Sequence, residues 1–199
     1  MGSTDPSSPL LCLASASPRR RELLAQIGVP HLIRCADIDE SVLSSESPRE
    51  YVIRMARTKA LAVHPQVAPL PVLAADTSVI LDGVIFGKPA DQAAALAMLE
   101  RLSGRTHEVL TAVALVSPEG LAETVSLSTV TLRPTTEAER VSYWDSGEPR
   151  DKAGGYAIQG YGAVFIAAVA GSYSGVVGLP LFETAALLRD AGIGYWQRA

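Results

Sequence analysis

An α/β protein built on a mixed, long-stranded sheet is predicted by three observations. Apolar runs of β character alternate with segments of helical periodicity, and no internal repeat interrupts them. Asp82-Gly83 separates the apolar run Pro71–Leu81 from Val84-Ile85-Phe86, the mark of a two-residue hairpin. Two further β-type runs, Val109–Val116 and Thr124–Leu132, meet at a turn, Pro118-Glu119-Gly120.

The elements follow in chain order. A strand at Leu10–Ala14 leads to Ser17 as N-cap and Pro18 as first helical residue. Leu23, Leu24 and Ile27 form that helix's stripe, and Gly28 ends it. A strand is expected at about His31–Ala36. Ser47-Pro48-Arg49-Glu50 is a capping box that opens a long helix to about His64. After the hairpin, Asp91 caps a helix whose stripe is Ala95, Met98, Leu99 and Leu102, closed by Gly104. A helix at about Thr136–Ser146 follows the two long strands. Gly154–Gly178 is rich in glycine and aromatic residues, with a short strand at Val164–Val169. Pro180 starts a last helix with the stripe Leu181, Thr184, Ala185 and Leu188.

With 199 residues the chain suffices for one domain, or two lobes sharing a core; residues 10–199 read as that domain and residues 1–9 as a flexible tail. An apolar content of 48% with 19% charged residues marks a globular chain. The net charge of −4 argues against general affinity for nucleic acid, so an anionic ligand needs a local cluster of cations. Cys12 and Cys35 lie in apolar runs without metal-binding spacing and read as reduced, packed thiols. No apolar stretch is long enough to span a bilayer, and Met1–Pro9 lacks the features of a secretory signal. The cytoplasm is the expected compartment.

Several charges stand where the pattern disfavours them. Arg19, Arg20 and Arg21 fill the first turn of a helix, an end that is already positive; each cation there is disfavoured by about 0.3–1 kcal/mol. An anion on the first-turn amides and guanidinium groups removes the conflict, as does splaying the side chains into solvent. Lys59 falls within the helical stripe Val52, Met55, Ala56, Ala60 and Val63, where it must snorkel outward or reach an internal anion. Asp76 interrupts an apolar strand and calls for pairing, hydrogen bonds or a metal; a structural ion pair meets the same need. Thr77 points to the opposite face of a regular strand. Lys88, in Gly87-Lys88-Pro89, lacks the spacing of a P-loop and is either a loop lysine or a phosphate ligand. Asp39 and Glu40 read first as solvated loop charges. In Asp151–Gly160 the glycines permit close approach to a ligand, and Gln159 offers a donor and an acceptor to a base edge; a tight corner with a buried glutamine is the alternative. His64 and His107 lack a nucleophile pattern, and Ser15 and Ser17 lack a nucleophile elbow.

Together these segments resemble the Maf family of nucleotide pyrophosphatases. The resemblance rests on Leu13-Ala14-Ser15-Ala16-Ser17-Pro18-Arg19-Arg20, Ala75-Asp76-Thr77, Gly87-Lys88-Pro89, Ser103-Gly104-Arg105-Thr106-His107, Asp151-Lys152-Ala153-Gly154 and Val177-Gly178-Leu179-Pro180. It implies an elongated α/β fold related to the inosine triphosphate pyrophosphatases: a mixed sheet with flanking helices, and two lobes around a deep cleft. It also implies hydrolysis of nucleoside triphosphates to the monophosphate and pyrophosphate, dependent on a divalent metal, Mg²⁺ or Mn²⁺. Asp76 takes the place of the family's proton acceptor. Ser15, Arg20, Glu40, Lys59 and Lys88 take its other polar active-site positions, and Asp76 and Glu40 are the expected metal ligands. Arg19, Thr77 and Gln159 fall on specificity positions, with Thr77 and Gln159 similar to the branch acting on dTTP and UTP, or on modified pyrimidine nucleotides. A homodimer is implied. Gly155 and Ser174-Gly175 depart from the residues more usual in the family. The alternatives are a purine house-cleaning pyrophosphatase and a nucleotide-binding regulator of septum formation with little turnover.

Overall fold

A computed structural model describes residues 8–196. Most of the tail expected over residues 1–9 thus lies outside the described residues. Strands β1 (Leu11–Leu13) and β2 (His31–Ile33) flank helix α1 (Pro18–Gln26) in sequence, and α2 (Pro48–Val67) leads into β3 (Val72–Leu81). The hairpin continues into β4 (Val84–Phe86), then α3 (Gln92–Leu102), β5 (Thr106–Ser117), β6 (Gly120–Leu132) and α4 (Glu137–Asp145). Three 3-10 turns, Glu148–Asp151, Ala153–Gly155 and Gly160–Phe165, precede β7 (Ile166–Ala170), α5 (Tyr173–Val177) and α6 (Leu181–Asp190).

The seven strands form one mixed sheet in the order β2-β1-β3-β5-β6-β7, with β4 paired to β3. The β1–β2 and β1–β3 pairs are parallel, and the others antiparallel. The hairpin turn has the expected chemistry: Asp82 and Gly83 both take positive φ, 53° and 76°. The Ser47/Glu50 capping box is present in full, and Asp91 accepts from the Ala94 amide.

Some boundaries moved for physical reasons. The strand at His31 stops at Ile33, because it is an edge strand paired only with three-residue β1. The chain leaves the sheet there, so Cys35 is exposed while Cys12 is buried, and both are free. Only Cys12 is the packed thiol expected of both. The long helix passes through Pro65 to Val67 rather than stopping at His64; Pro65 lacks the amide hydrogen, but only a few residues of helix remain. The strands around Pro118-Glu119 are longer than their most apolar stretches, because they pair with each other from Thr106–Thr131 to Ser117–Gly120. The short helix α5 lies in the glycine-rich stretch, where helical periodicity is too brief to read.

Strand β3 organises the core. Val72, Ala74 and Ile80 face α2, packing with Val52, Ala56, Ala60 and Val63. On the other face, Leu73 and Ala75 join a cluster that includes Leu24 of α1 and Leu188 of α6. Farther along that face, Val79 and Leu81 join a separate cluster with Leu99, Tyr143 and Phe165. Thr77 lies between the two clusters, so the lobes part there. The same place is a gap in pairing: β1 meets β3 only at Val72 and Leu73, and β4 only at Val79–Leu81. Asp76 and Thr77 therefore share an edge that is open on that side. Among the described residues no helix is long and apolar enough to cross a membrane.

Candidate active site

The open edge of β3 floors a cleft of about 620 Å³, lined among others by Ser15, Arg19, Arg20, Glu40, Lys59, Asp76, Thr77, Lys88 and Gln159. All the residues expected to carry substrate chemistry meet there.

Asp76 and Lys59 face each other because two periodicities agree. Lys59 is central to the buried stripe of α2, and Asp76 alternates with Ala74 and Ile80 on the strand face that α2 covers. Each residue is only 9% exposed. Lys59 Nζ donates to Asp76 Oδ1 at 2.7 Å and lies 2.6 Å from Glu40 Oε1. Lys59 thus reaches internal anions and does not snorkel. Glu40, first read as a solvated loop charge, is the second of them; its neighbour Asp39 stays exposed and accepts from the Ser41 amide.

Helix α2 also positions the loop that carries Glu40. Tyr51 donates its hydroxyl to Glu40 O at 2.9 Å, and Arg54 donates to Ser41 O and to both oxygens of Glu46. The side chain of Glu40 remains 47% exposed. Burial opposes its ionisation, but the hydrogen bond and charge of Lys59, with Lys88 and Arg20 farther off, outweigh burial and lower its pKa. Tyr51 shifts the other way, to about 12, through burial and the charges of Asp76 and Glu40.

The three arginines of α1 divide their tasks. Arg21 is exposed. Arg19 Nη1 lies 3.5 Å from Asp151 Oδ2, linking α1 to the glycine-rich segment. Arg20 turns into the cleft, donating from Nε to Gly178 O at 2.8 Å, from Nη1 to Ser15 Oγ at 3.3 Å and from Nη2 to Thr77 Oγ1 at 3.2 Å. Those acceptors are neutral. Burial lowers the Arg20 pKa, partly offset by the charge of Asp76, so an anion beside it would relieve a charge that has no ion-pair partner among the described residues. Ser17 occupies the N-cap position, but its hydroxyl caps nothing, and the first turn holds no acid. The first-turn amides of α1 therefore stay available to an anion.

Lys88 is exposed on its turn. The Gly154 amide donates to Gly87 O at 3.0 Å and fixes that turn against the segment carrying Gln159. Gly154 takes φ +71°, and a Cβ there would lie 3.0 Å from Val79 Cγ1, so only glycine lets the segment cross β3 so closely. Gln159 is exposed at the cleft, not buried in a corner. The two departures in this region are accommodated: Gly155 has φ +70°, and Ser174 Oγ accepts from the Leu181 amide.

The sequence pattern did not single out Tyr51, Cys35 and Tyr156, which also line the cleft. Tyr156 could have been suspected only through His107, whose Nε2 lies 2.7 Å from its hydroxyl. His107 is 2% exposed, and burial lowers its pKa from 6.5 to about 4. The unfolded chain then binds a proton that the folded one refuses. Stability falls as pH drops below about 6.5, and the loss stops growing near 4. This residue alone should contribute a loss of about 2–3 kcal/mol between pH 7 and pH 4.5. Urea unfolding of His107→Gln should lack that part of the acid limb; an unchanged limb would show that His107 is not held neutral.

Asp76 and Glu40 fit a hard divalent cation in donor chemistry. Both reach the same Lys59 Nζ, so their oxygens converge, and Asp76 Oδ2 and Glu40 Oε2 have no hydrogen-bond partner among the described residues. No group of three or more His, Cys, Asp or Glu residues is placed to hold a metal among the described residues. Two carboxylates completed by substrate phosphates are the usual Mg²⁺ arrangement.

The chain is 52% identical over 195 residues to a dTTP/UTP pyrophosphatase of Hahella chejuensis, covering 96% of this chain and 97% of that protein. It is 55% identical over 194 residues to a dTTP/UTP pyrophosphatase of Bordetella avium, covering 93% and 96%. The solved structure of the Staphylococcus aureus Ham1 protein is similar in fold alone, with TM-score 0.50, 13% identity, and coverage of 78% of this chain and 79% of that one. That likeness agrees with the fold relation expected from the sequence. Residues 10–191 match the family described as Maf-like protein, and the chain belongs to the Maf family.

Proposed function

We propose that this protein is a nucleoside triphosphate pyrophosphatase that hydrolyses dTTP and UTP to the monophosphate and pyrophosphate. The observation that carries the reading is the convergence of Asp76, Glu40, Lys59, Arg20 and Lys88 on one cleft beside Thr77 and Gln159. The names of the relatives support the same substrates.

Arg20, Lys88 and the first-turn amides of α1 bind the triphosphate, with Ser15 holding Arg20 in place. Asp76 orients the attacking water and accepts its proton, and Lys59 holds that carboxylate in place. Attack at the α-phosphorus then expels pyrophosphate. Asp76 and Glu40 would hold Mg²⁺ or Mn²⁺, which supplies charge neutralisation and water activation when bound. Thr77 and Gln159 read the pyrimidine, Arg19 braces the segment carrying Gln159, and modified pyrimidine nucleotides are further candidate substrates. The same reading places the enzyme in the cytoplasm as a homodimer.

A panel of nucleotides tests this. Pyrophosphate release should be at least about tenfold faster from dTTP and UTP than from GTP or ITP, a margin within reach of one good hydrogen-bonded discrimination. EDTA should abolish it. Preference for ITP or XTP would favour a purine pyrophosphatase. Preference for 7-methyl-GTP would move the chain to another branch of the family. Binding without product, indifferent to EDTA, would favour a regulator.

A further inference from the structure

The segment that presents Gln159 is closed into a ring by two side chains that do not line the cleft. On one side of Gln159, the Ala157 amide donates to Tyr143 Oη at 3.0 Å. Tyr143 Oη in turn donates to Glu148 Oε1 at 2.7 Å. On the other side, the Gly162 amide donates to the same Oε1 at 2.9 Å, and the Tyr161 amide donates to Oε2 at 2.9 Å. Residues 157–162 are thereby clipped at both ends, with Gln159 between the clips.

Both side chains are anchored. Tyr143 is buried on α4, with its ring edge-on to Phe165 at 5.2 Å between centroids. Glu148 starts a 3-10 turn, and its amide donates to Ser146 Oγ. Burial opposes ionisation of Glu148, but the hydrogen bonds from Tyr143 and the two amides outweigh it and lower its pKa. The segment is fitted to the clamp. Gly160 has φ +72°, and a Cβ there would collide with the Glu148 carboxylate; one at Gly162 would lie 2.6 Å from Tyr143 Oη.

We propose that Tyr143 and Glu148 are positioning residues for base specificity, holding Gln159 at the distance from Thr77 that a pyrimidine requires. The inference rests on the reading of Gln159 as a base reader. Neither residue lines the cleft that holds Arg20, Lys59, Asp76 and Lys88, so the clamp acts on recognition and leaves the chemical step alone.

The test is steady-state kinetics of Y143F, E148Q, E148A and Q159A with UTP, dTTP and CTP, alongside thermal unfolding. Y143F removes one oxygen; the Ala157 amide loses its acceptor and Glu148 one donor. KM for UTP and dTTP should rise about tenfold with kcat within about twofold, and discrimination against CTP should fall by a similar factor. E148Q, which keeps one acceptor oxygen, should fall between wild type and E148A. Adding Y143F to Q159A should change discrimination no further. A purely structural clamp would lower the unfolding midpoint while leaving KM and discrimination unchanged, and that result in Y143F and E148Q overturns the proposal. If Q159A itself discriminates like wild type, the base-reading assignment fails and takes the clamp with it. Lost discrimination in Q159A with wild-type behaviour in both clamp variants sinks the clamp alone.

Discussion

Asp76→Asn should lower pyrophosphate release from dTTP by about a thousandfold or more while leaving the fold intact, the loss expected for a general base that also fixes its water. The substitution changes one oxygen to an amide nitrogen within an unchanged outline. The carbonyl of the new amide can still accept from Lys59 Nζ, and Lys59 keeps Glu40 at 2.6 Å. The unfolding midpoint should therefore move by only a few degrees, and a non-hydrolysable α,β-methylene analogue should still bind. Turnover near the wild-type rate would remove Asp76 from the chemistry. A collapsed midpoint would instead mean that the ionised carboxylate is chiefly structural.

Lys59→Met should be the most damaging substitution to stability in the cleft. It preserves the apolar stem within the stripe of α2 but removes the cation between two carboxylates, leaving Asp76, 9% exposed, without its partner. Stranding a buried charge in this way costs about 3–5 kcal/mol, or roughly 6–20 °C in unfolding midpoint for a chain of this size. The pH dependence follows from Glu40. Its lowered pKa contributes stability that is present above the unfolded value and lost as pH falls through the folded value. Without Lys59 that contribution shrinks, so the variant should lose less further stability in acid than wild type does. Thermal melts at pH 7 and pH 4 would read both effects. A midpoint within a degree or two of wild type at pH 7 would mean that the ion pair contributes little.

The half of the cleft proposed to be catalytic was legible because burial can be read from sequence pattern. Lys59 breaks an apolar stripe of period 3.6 and Asp76 a continuous apolar run, and strand alternation puts Asp76 with Ala74 and Ile80 on the face that α2 covers. Arg20 was legible for a related reason: a helix start that repels cations carried three. Glu40 was not legible from its own neighbourhood. It lies in a stretch without periodicity, held by Tyr51 and Arg54 of the following helix, and only the family resemblance pointed to it. Cys35 was misread because an apolar run beside a short edge strand need not be buried. The Tyr143–Glu148 clamp left no trace in the pattern, since it depends on backbone amides of a glycine-rich segment whose path is set by positive φ angles.

The interrupted partnering along β3 separates two kinds of change this molecule can tolerate. The proposed hydrolytic groups Asp76 and Lys59 are rooted in β3 and α2, around which the interior packs, so changes of size or charge there cost stability as well as activity. The proposed selector for the base, Gln159, hangs on a tethered, turn-built arm across the opening. Its glycines are fixed by their close contacts, but an exposed side chain such as Gln159 can change there at little cost to the interior.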